Sequence, residues 1–147
     1  MADKYDHLKL ENQICFPLYA CSKEIVKAYK PFLDELDLTY TQYITMMVMW
    51  EHKELKVKEV GKYLFLDSST LTPLLKRLEE KGYVTRRRSA DDERDLIVTI
   101  TDSGESLKEK ALSVPARLGA CVDLDPQKAR DLYALLYEVI GKLERRQ

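Results

Sequence analysis

The side chains best suited to chemistry in this sequence are its three cysteines, Cys15, Cys21 and Cys121. The thiolate is the reactive, oxidisable form of a cysteine, whereas a free cysteine has a pKa of about 8.5 and is mostly protonated at neutral pH. Cys15 lies in the stretch QICFPLYACS, two residues before Pro17 and four before Tyr19. Pro17 predicts a helix that begins or bends close to Cys15, and the positive end of that helix favours an anion. The Tyr19 hydroxyl is a hydrogen-bond donor on the same face.

The same residues also fit a purely structural role. Unpaired cysteines usually pack as small hydrophobic side chains, and tyrosines usually pack as core aromatics. Cys21 follows Cys15 by six residues, about 240° around a helix, and is predicted to be packing material. The cysteines form no CxxC pair, and His7 and His52 are the only histidines. We therefore expect no disulfide scaffold, no metal ion and no cofactor.

Composition places these residues in a small folded protein. The chain has 147 residues, of which 45% are hydrophobic and 33% charged, with a net charge of −1 and only five glycines and five prolines. This length and composition predict a single, mostly helical domain over residues 1–147. No apolar run approaches the roughly 20 residues that span a bilayer, and the amino-terminal stretch is too polar for a signal peptide. A cytoplasmic protein is expected.

Apolar spacing predicts the helices that must position the cysteines. One helix is predicted from about residue 12 to 33, ended by Pro31, and a nearly all-round apolar, buried helix from 39 to 53. A short helix in KVKEVGKYLFL precedes one with leucines at 71, 74, 75 and 78, capped by Asp67, Ser68 or Ser69 and ended by Gly82. A helix with Asp102 and Glu105 as a capping box, kinked at Pro115, and a last helix starting at Asp125 and Pro126 follow.

Two β-branched runs, YVTRRR and LIVTIT, flank the polar connector SADDERD and predict a hairpin with a charged tip. Three helices followed by such a hairpin are typical of the winged helix-turn-helix, which binds DNA, so the predicted fold class is mainly α with a small β-hairpin. The predicted DNA contacts are Ser68, Ser69, Thr70, Thr72, Lys76 and Arg77 on the helix and Arg86, Arg88, Asp92 and Arg94 in the wing. The alternative is that Arg86, Arg87 and Arg88 form a solvated strand edge and that Arg94 pairs with Asp92.

More apolar faces are predicted than one small core needs. A seam on 107–121 and a stripe on 129–143 lie outside the winged-helix core of about 39–101, and residues 7–33 form another long helix. We therefore predict a homodimer held by about 7–33 and 102–147, with two DNA-binding helices about 34 Å apart on palindromic double-stranded DNA.

Two segments resemble a known family. LDSSTLTPLLKRLEEKGYVTRRRSADDERDLIVTITDSG is similar to the recognition helix and wing of the multiple-antibiotic-resistance regulator (MarR) family, whose Asp-x-Arg wing tip matches Asp92 and Arg94. LENQICFPLYACSKEIVKAYKPFLDELDLTYTQY resembles the organic-hydroperoxide-sensing OhrR branch, in a Cys-Phe-x-Leu-Tyr start, a Tyr-Lys-Pro segment and a later Thr-Tyr. The similarity runs from about residue 7 to 112. Pro17 departs from the residue expected in that start.

The resemblance implies specific roles. Cys15 is then the peroxide-reactive thiol, in a sensor pocket with Phe16, Tyr19, Tyr29 and Tyr40. Its oxidation by an organic hydroperoxide releases the operator and de-represses a peroxide-resistance gene. Tyr29 is fourteen residues from Cys15, about 21 Å along a helix, so we expect Tyr29 and Tyr40 to reach the thiol from the other subunit.

Three points stay open at the level of the sequence. In some members of the branch a second cysteine, from the partner chain and near the position of Cys121, forms a disulfide with the oxidised thiol. In other members a small thiol does so. Cys121 is therefore either this second cysteine or core filler. The same fold also occurs in repressors released by reversible binding of a small ligand. A thiol peroxidase is the third alternative, but no arrangement typical of turnover is visible, and we predict no enzyme activity.

Overall fold

The computed structural model describes residues 3–146 and forms two compact units that divide after Val114. Two short 3-10 turns precede the first helix. None of the described helices is long and apolar enough to cross a membrane. The elements are α1 (Cys15–Asp34), α2 (Tyr40–His52), β1 (Glu54–Lys56), α3 (Val57–Leu64), α4 (Ser68–Glu80), β2 (Val84–Arg88), β3 (Leu96–Ile100), α5 (Asp102–Ala111), α6 (Val114–Val122) and α7 (Pro126–Glu144).

Helix α1 begins at Cys15, as Pro17 predicts. Pro17 is then the third residue of the helix, where a backbone N–H has no hydrogen-bond acceptor within the helix. The prediction that Pro31 ends the helix is wrong, since α1 continues to Asp34 with Pro31 inside it. Proline removes one hydrogen bond, and the burial of Leu33 in the core offsets that loss. The thiol and the core therefore lie at opposite ends of one helix.

Helix α2 is the centre of the first unit. Thr39 and Gln42 form a reciprocal capping box at its start, and Tyr43, Met46 and Met49 are buried. The expectation of burial on all sides is wrong, because Met47 is exposed on the opposite side. The core lies on one side of this helix.

Helices α3 and α4 form the helix-turn-helix. All four predicted leucines of α4 are buried, and Asp67 caps the helix by accepting a hydrogen bond of 2.9 Å from the Thr70 N–H. Gly82 has a φ of 82°, the left-handed conformation predicted for it. Burial of the leucine face fixes which residues of α4 face solvent.

The predicted hairpin is present, and the fold class of a mainly helical winged helix-turn-helix is confirmed. Strand β3 pairs antiparallel with β2 and also with β1, giving the order β1-β3-β2. Strand β1 was not predicted, because three residues are too few to establish a period. It places the start of α3 beside the wing.

The region after the wing forms two helices, and not the single helix kinked at Pro115 that was predicted. Helix α5 ends at Ala111 and α6 begins at Val114, so Pro115 lies at the start of a new helix. Thr101, and not Asp102, caps α5, because its hydroxyl accepts a hydrogen bond from the Gly104 N–H. Leu107, Ala111 and Val114 of the predicted seam are in the core.

In the second unit Asp125 caps α7 and Pro126 is its first residue, as predicted. Four large members of its apolar stripe are exposed, namely Leu132, Tyr133, Val139 and Leu143.

Candidate functional site

The amino end of α1 presents a thiol and two aromatic rings to solvent. Cys15 is the first residue of the helix and is exposed, Phe16 follows it, and Tyr19 is one turn further on with 61% of its surface accessible. The Lys23 ammonium lies 5.2 Å from the centre of the Tyr19 ring. This end of the chain is thus open to a small reactant.

Tyr29 and Tyr40 belong to a separate aromatic cluster. The Tyr29 ring centre lies 4.9 Å from that of Tyr40 and 5.7 Å from that of Tyr43. Helix α1 is continuous from Cys15 past Tyr29, so the two residues are about 21 Å apart along its axis. The chain does not bring Tyr29 or Tyr40 to its own Cys15.

The tyrosine cluster predicts a loss of stability at alkaline pH. Burial, followed by the nearby Tyr40 and Tyr43, raises the pKa of Tyr29 from 10.0 to about 12. Because the folded state holds this proton more tightly, the stabilisation is complete below pH 10 and is lost as the pH rises towards 12. We expect urea unfolding at pH 11 to show a smaller fall in stability, relative to pH 9, for Tyr29→Phe than for the wild type. An ultraviolet titration showing Tyr29 ionised near pH 10 in the folded protein would contradict this.

Hydroxyl groups line the start of α4, the predicted recognition helix. Ser68, Ser69 and Thr70 are its first three residues and all are exposed. The Asp67 carboxylate accepts hydrogen bonds from the Ser69 hydroxyl at 2.7 Å and the Thr70 N–H at 2.9 Å, which lower the pKa of Asp67. The Thr72 hydroxyl donates to the Ser68 carbonyl at 2.8 Å. These bonds fix the Ser69 and Thr72 hydroxyls while leaving the side chains exposed.

Two cations lie further along the same surface. Lys76 and Arg77 are both exposed on α4, on the side away from its leucines. The predicted contact residues of this helix are therefore accessible together.

Arg94 lies at the tip of the wing and is paired with Asp92. Its backbone N–H, Nε and Nη2 donate to the Asp92 carboxylate at 3.0, 3.1 and 3.0 Å, and these bonds lower the pKa of Asp92. The Arg94 side chain is nevertheless 90% exposed. A guanidinium has five N–H donors, and this pair uses two of them, so three remain for a further acceptor. The two interpretations of Arg94, paired and DNA-facing, are compatible.

Arg86 differs from the other predicted DNA contacts. The Glu79 carboxylate of α4 accepts its backbone N–H at 2.8 Å and its Nη2 at 3.2 Å, and only 19% of its side chain is exposed. Arg86 therefore joins the recognition helix to strand β2 instead of facing solvent. Arg88 is exposed and donates to the Glu93 carbonyl at 3.3 Å, and Arg87 pairs with Glu54 at 3.2 Å.

Three charged residues at the base of the wing form ion pairs that the sequence did not predict. The Asp95 carboxylate lies 3.0 Å from the Lys56 ammonium and 3.1 Å from that of Lys58. These two contacts lower the pKa of Asp95, and Asp95 raises the pKa of Lys56. Thirty-seven residues separate Lys58 from Asp95, and a polar connector with four acids gives no signal for which of them is paired.

The remaining cysteines are accessible in the chain. Cys121 lies in the last turn of α6 and is exposed, so it does not fill the core of the single chain. Cys21 is also exposed, so it is not packing material within the single chain either.

The sequence matches a family model described as transcriptional regulator SarA/Rot over residues 27–111. It is also 48% identical, over 99% of each chain, to the organic hydroperoxide resistance transcriptional regulator of Bacillus subtilis. The match with this relative therefore includes the amino end of α1 as well as the winged helix.

The solved structures similar to the chain include two of AbfR. One is reduced AbfR bound to DNA, a Staphylococcus epidermidis protein that is 33% identical, with a TM-score of 0.77 over 96% of this chain and 99% of that one. The other is disulfide-formed AbfR, 36% identical, with a TM-score of 0.64 over 93% of this chain and 96% of that one.

Proposed function

This chain belongs to the MarR family of winged-helix transcriptional regulators, in its organic-hydroperoxide branch, and on that premise we propose that it is a dimeric, cytoplasmic repressor inactivated by organic hydroperoxide. The reduced dimer binds a palindromic operator, and oxidation of Cys15 releases it and de-represses a peroxide-resistance gene. The observation that carries the proposal is the position of Cys15, exposed on the first turn of α1 with Tyr19 one turn away.

The chemical step consumes one peroxide for each thiol. The Cys15 thiolate attacks the terminal peroxide oxygen, the O–O bond breaks, and the alkoxide leaves and takes a proton to become an alcohol. The sulfur is oxidised to a sulfenic acid and the peroxide is reduced. The protein is not an enzyme in this scheme, because the sulfenic acid is the signal and turnover is not required.

The dimer supplies the rest of the sensor. The exposed apolar stripe of α7 and the exposed residues at the start of α1 are the surfaces that a second copy covers. Tyr29 and Tyr40 of one subunit then approach Cys15 of the other. The Tyr29 hydroxyl, like that of any tyrosine with a pKa of 10 or above, keeps its proton at neutral pH and is available as a donor to the thiolate.

A gel-shift titration tests this function. The probe is a palindromic duplex selected from a random pool by the reduced protein. Reduced protein is expected to bind it, and one equivalent of tert-butyl hydroperoxide is expected to release it, with a reducing thiol restoring binding. Unchanged binding after peroxide treatment would contradict the proposal.

Arg94→Ala is expected to weaken operator binding by about tenfold to a hundredfold. The guanidinium has three free N–H donors at the wing tip, and the negative potential of a narrow minor groove attracts such a cation. Fluorescence anisotropy at fixed salt measures the dissociation constant. Arg87→Ala is the matched control, since it removes an arginine that lies within strand β2 and not at the wing tip, and it should change affinity by less than about threefold. Equal effects of the two substitutions would remove Arg94 from the DNA contacts.

A further inference from the structure

We propose that Asp95 positions the wing for DNA by tying the turn that carries Arg94 to the start of α3. The proposal rests on the proposed function, because it assumes that Arg94 contacts the operator. It adds a residue that does not contact DNA itself and acts through Arg94.

The backbone of Asp95 closes the turn around Arg94. The Asp95 N–H donates to the Asp92 carbonyl at 2.9 Å, and the Ser89 N–H donates to the Asp95 carbonyl at 2.9 Å. Arg94 is therefore the third residue of a four-residue turn that Asp95 completes. The same residue joins the two sides of the connector where they meet the strands.

The side chain of Asp95 ties this turn to the helix-turn-helix. Its two carboxylate oxygens accept from different lysines, Oδ2 from Lys56 and Oδ1 from Lys58, and only 14% of the side chain is exposed. Lys56 is the residue before α3 and Lys58 is the second residue within it. The Asp95 carboxylate thus forms both of these ion pairs between the connector and the start of α3.

A positioning role explains why a carboxylate lies beside Arg94. A negative charge near phosphates opposes DNA binding, and an ion pair near the surface adds little to folding stability. The two contacts instead fix the direction in which the seven-residue connector, Ser89 to Asp95, projects from the sheet. Arg94 reaches a groove only if that direction is kept.

A double-mutant cycle tests the coupling. Operator affinity is measured by anisotropy for reduced wild type, Asp95→Asn, Arg94→Ala and the double variant. Asp95→Asn is expected to weaken binding about tenfold in the wild-type background and less than about twofold in the Arg94→Ala background. Asp95→Glu, which keeps the charge, is expected to recover most of the affinity. Glu93→Gln is the matched control, because it removes one exposed negative charge from the same connector.

The outcomes separate the two proposals. Tight operator binding by the reduced wild type supports the proposed function whatever the variants do. Equal losses from Asp95→Asn with and without Arg94 would overturn the positioning role while leaving the proposed function intact, and so would a Glu93→Gln loss as large as that of Asp95→Asn. Hydrogen exchange of the Ser89 and Asp95 amides in the free protein gives an independent readout. Faster exchange in Asp95→Asn supports the positioning role of Asp95, and unchanged exchange overturns it.

Discussion

Replacing Cys15 with serine is expected to abolish the release of DNA by organic hydroperoxide while leaving the affinity of the reduced protein for its operator unchanged. A serine hydroxyl is not ionised at neutral pH and does not attack a peroxide oxygen. Cys15 lies at the amino end of α1, whereas the recognition helix and wing belong to other elements, so the substitution leaves the DNA-binding surface intact. The expected effect is all-or-none.

The measurement is a gel shift of the selected palindrome over a peroxide titration, with mass spectrometry of the same samples. Cys21→Ser is the matched control, since Cys21 is exposed on the same helix, and it should respond like the wild type. Continued release of Cys15→Ser by peroxide would rule out Cys15 as the sensor. Release without any oxidised sulfur in the wild type would favour a repressor that responds to reversible binding of a small ligand.

The helix-turn-helix was predictable from the sequence because its signals are local. The leucine spacing, the Asp67 cap and Gly82 all act within a few residues of one another, and all three are observed as predicted. The hairpin was predictable for the same reason, since two β-branched runs flank a short polar connector.

Two of the features that escaped prediction depend on residues distant in sequence. Strand β1 forms because its three residues pair with the edge of β3. Asp95 is paired with lysines that precede it by more than thirty residues. The pairing of Arg86 escaped prediction for a different reason: Glu79 is only seven residues away, but no sequence pattern indicates that its carboxylate accepts from both the backbone and the side chain of Arg86. Charge patterns indicate a basic surface without indicating which of its members are already paired.

The sensor was predictable in part. Pro17 indicates that a helix starts at Cys15, which is observed, but the role of the thiol came from the resemblance to a family. The distance between Cys15 and Tyr29 along one continuous helix followed from residue spacing, and the structure has that helix. Exposure of Cys21 and Cys121 did not follow, because apolar spacing on a helix indicates a face without indicating whether the same chain covers it.

Cys121→Ser is expected to abolish a covalent dimer that forms when the wild type is treated with one equivalent of organic hydroperoxide. We expect the Cys15 sulfenic acid of one subunit to condense with the Cys121 thiol of the other, forming a disulfide and releasing water. Cys121 is exposed in the last turn of α6, and AbfR, which is 36% identical, has been solved with a disulfide formed. Non-reducing electrophoresis measures the dimer, and a reducing thiol should convert it back to the monomer band.

Without Cys121 the sulfenic acid loses the thiol with which we expect it to condense, so excess peroxide should drive Cys15 to sulfinic and sulfonic acids, which a thiol does not reverse. Mass spectrometry of Cys121→Ser is therefore expected to show two or three added oxygens on Cys15, and DNA binding should no longer be restored by reduction. Cys21→Ser is again the control and should form the covalent dimer normally. A dimer that persists in Cys121→Ser would assign the bond to another cysteine of the protein. A wild type that yields only a mixed disulfide with added small thiol would leave Cys15 as the sole redox residue.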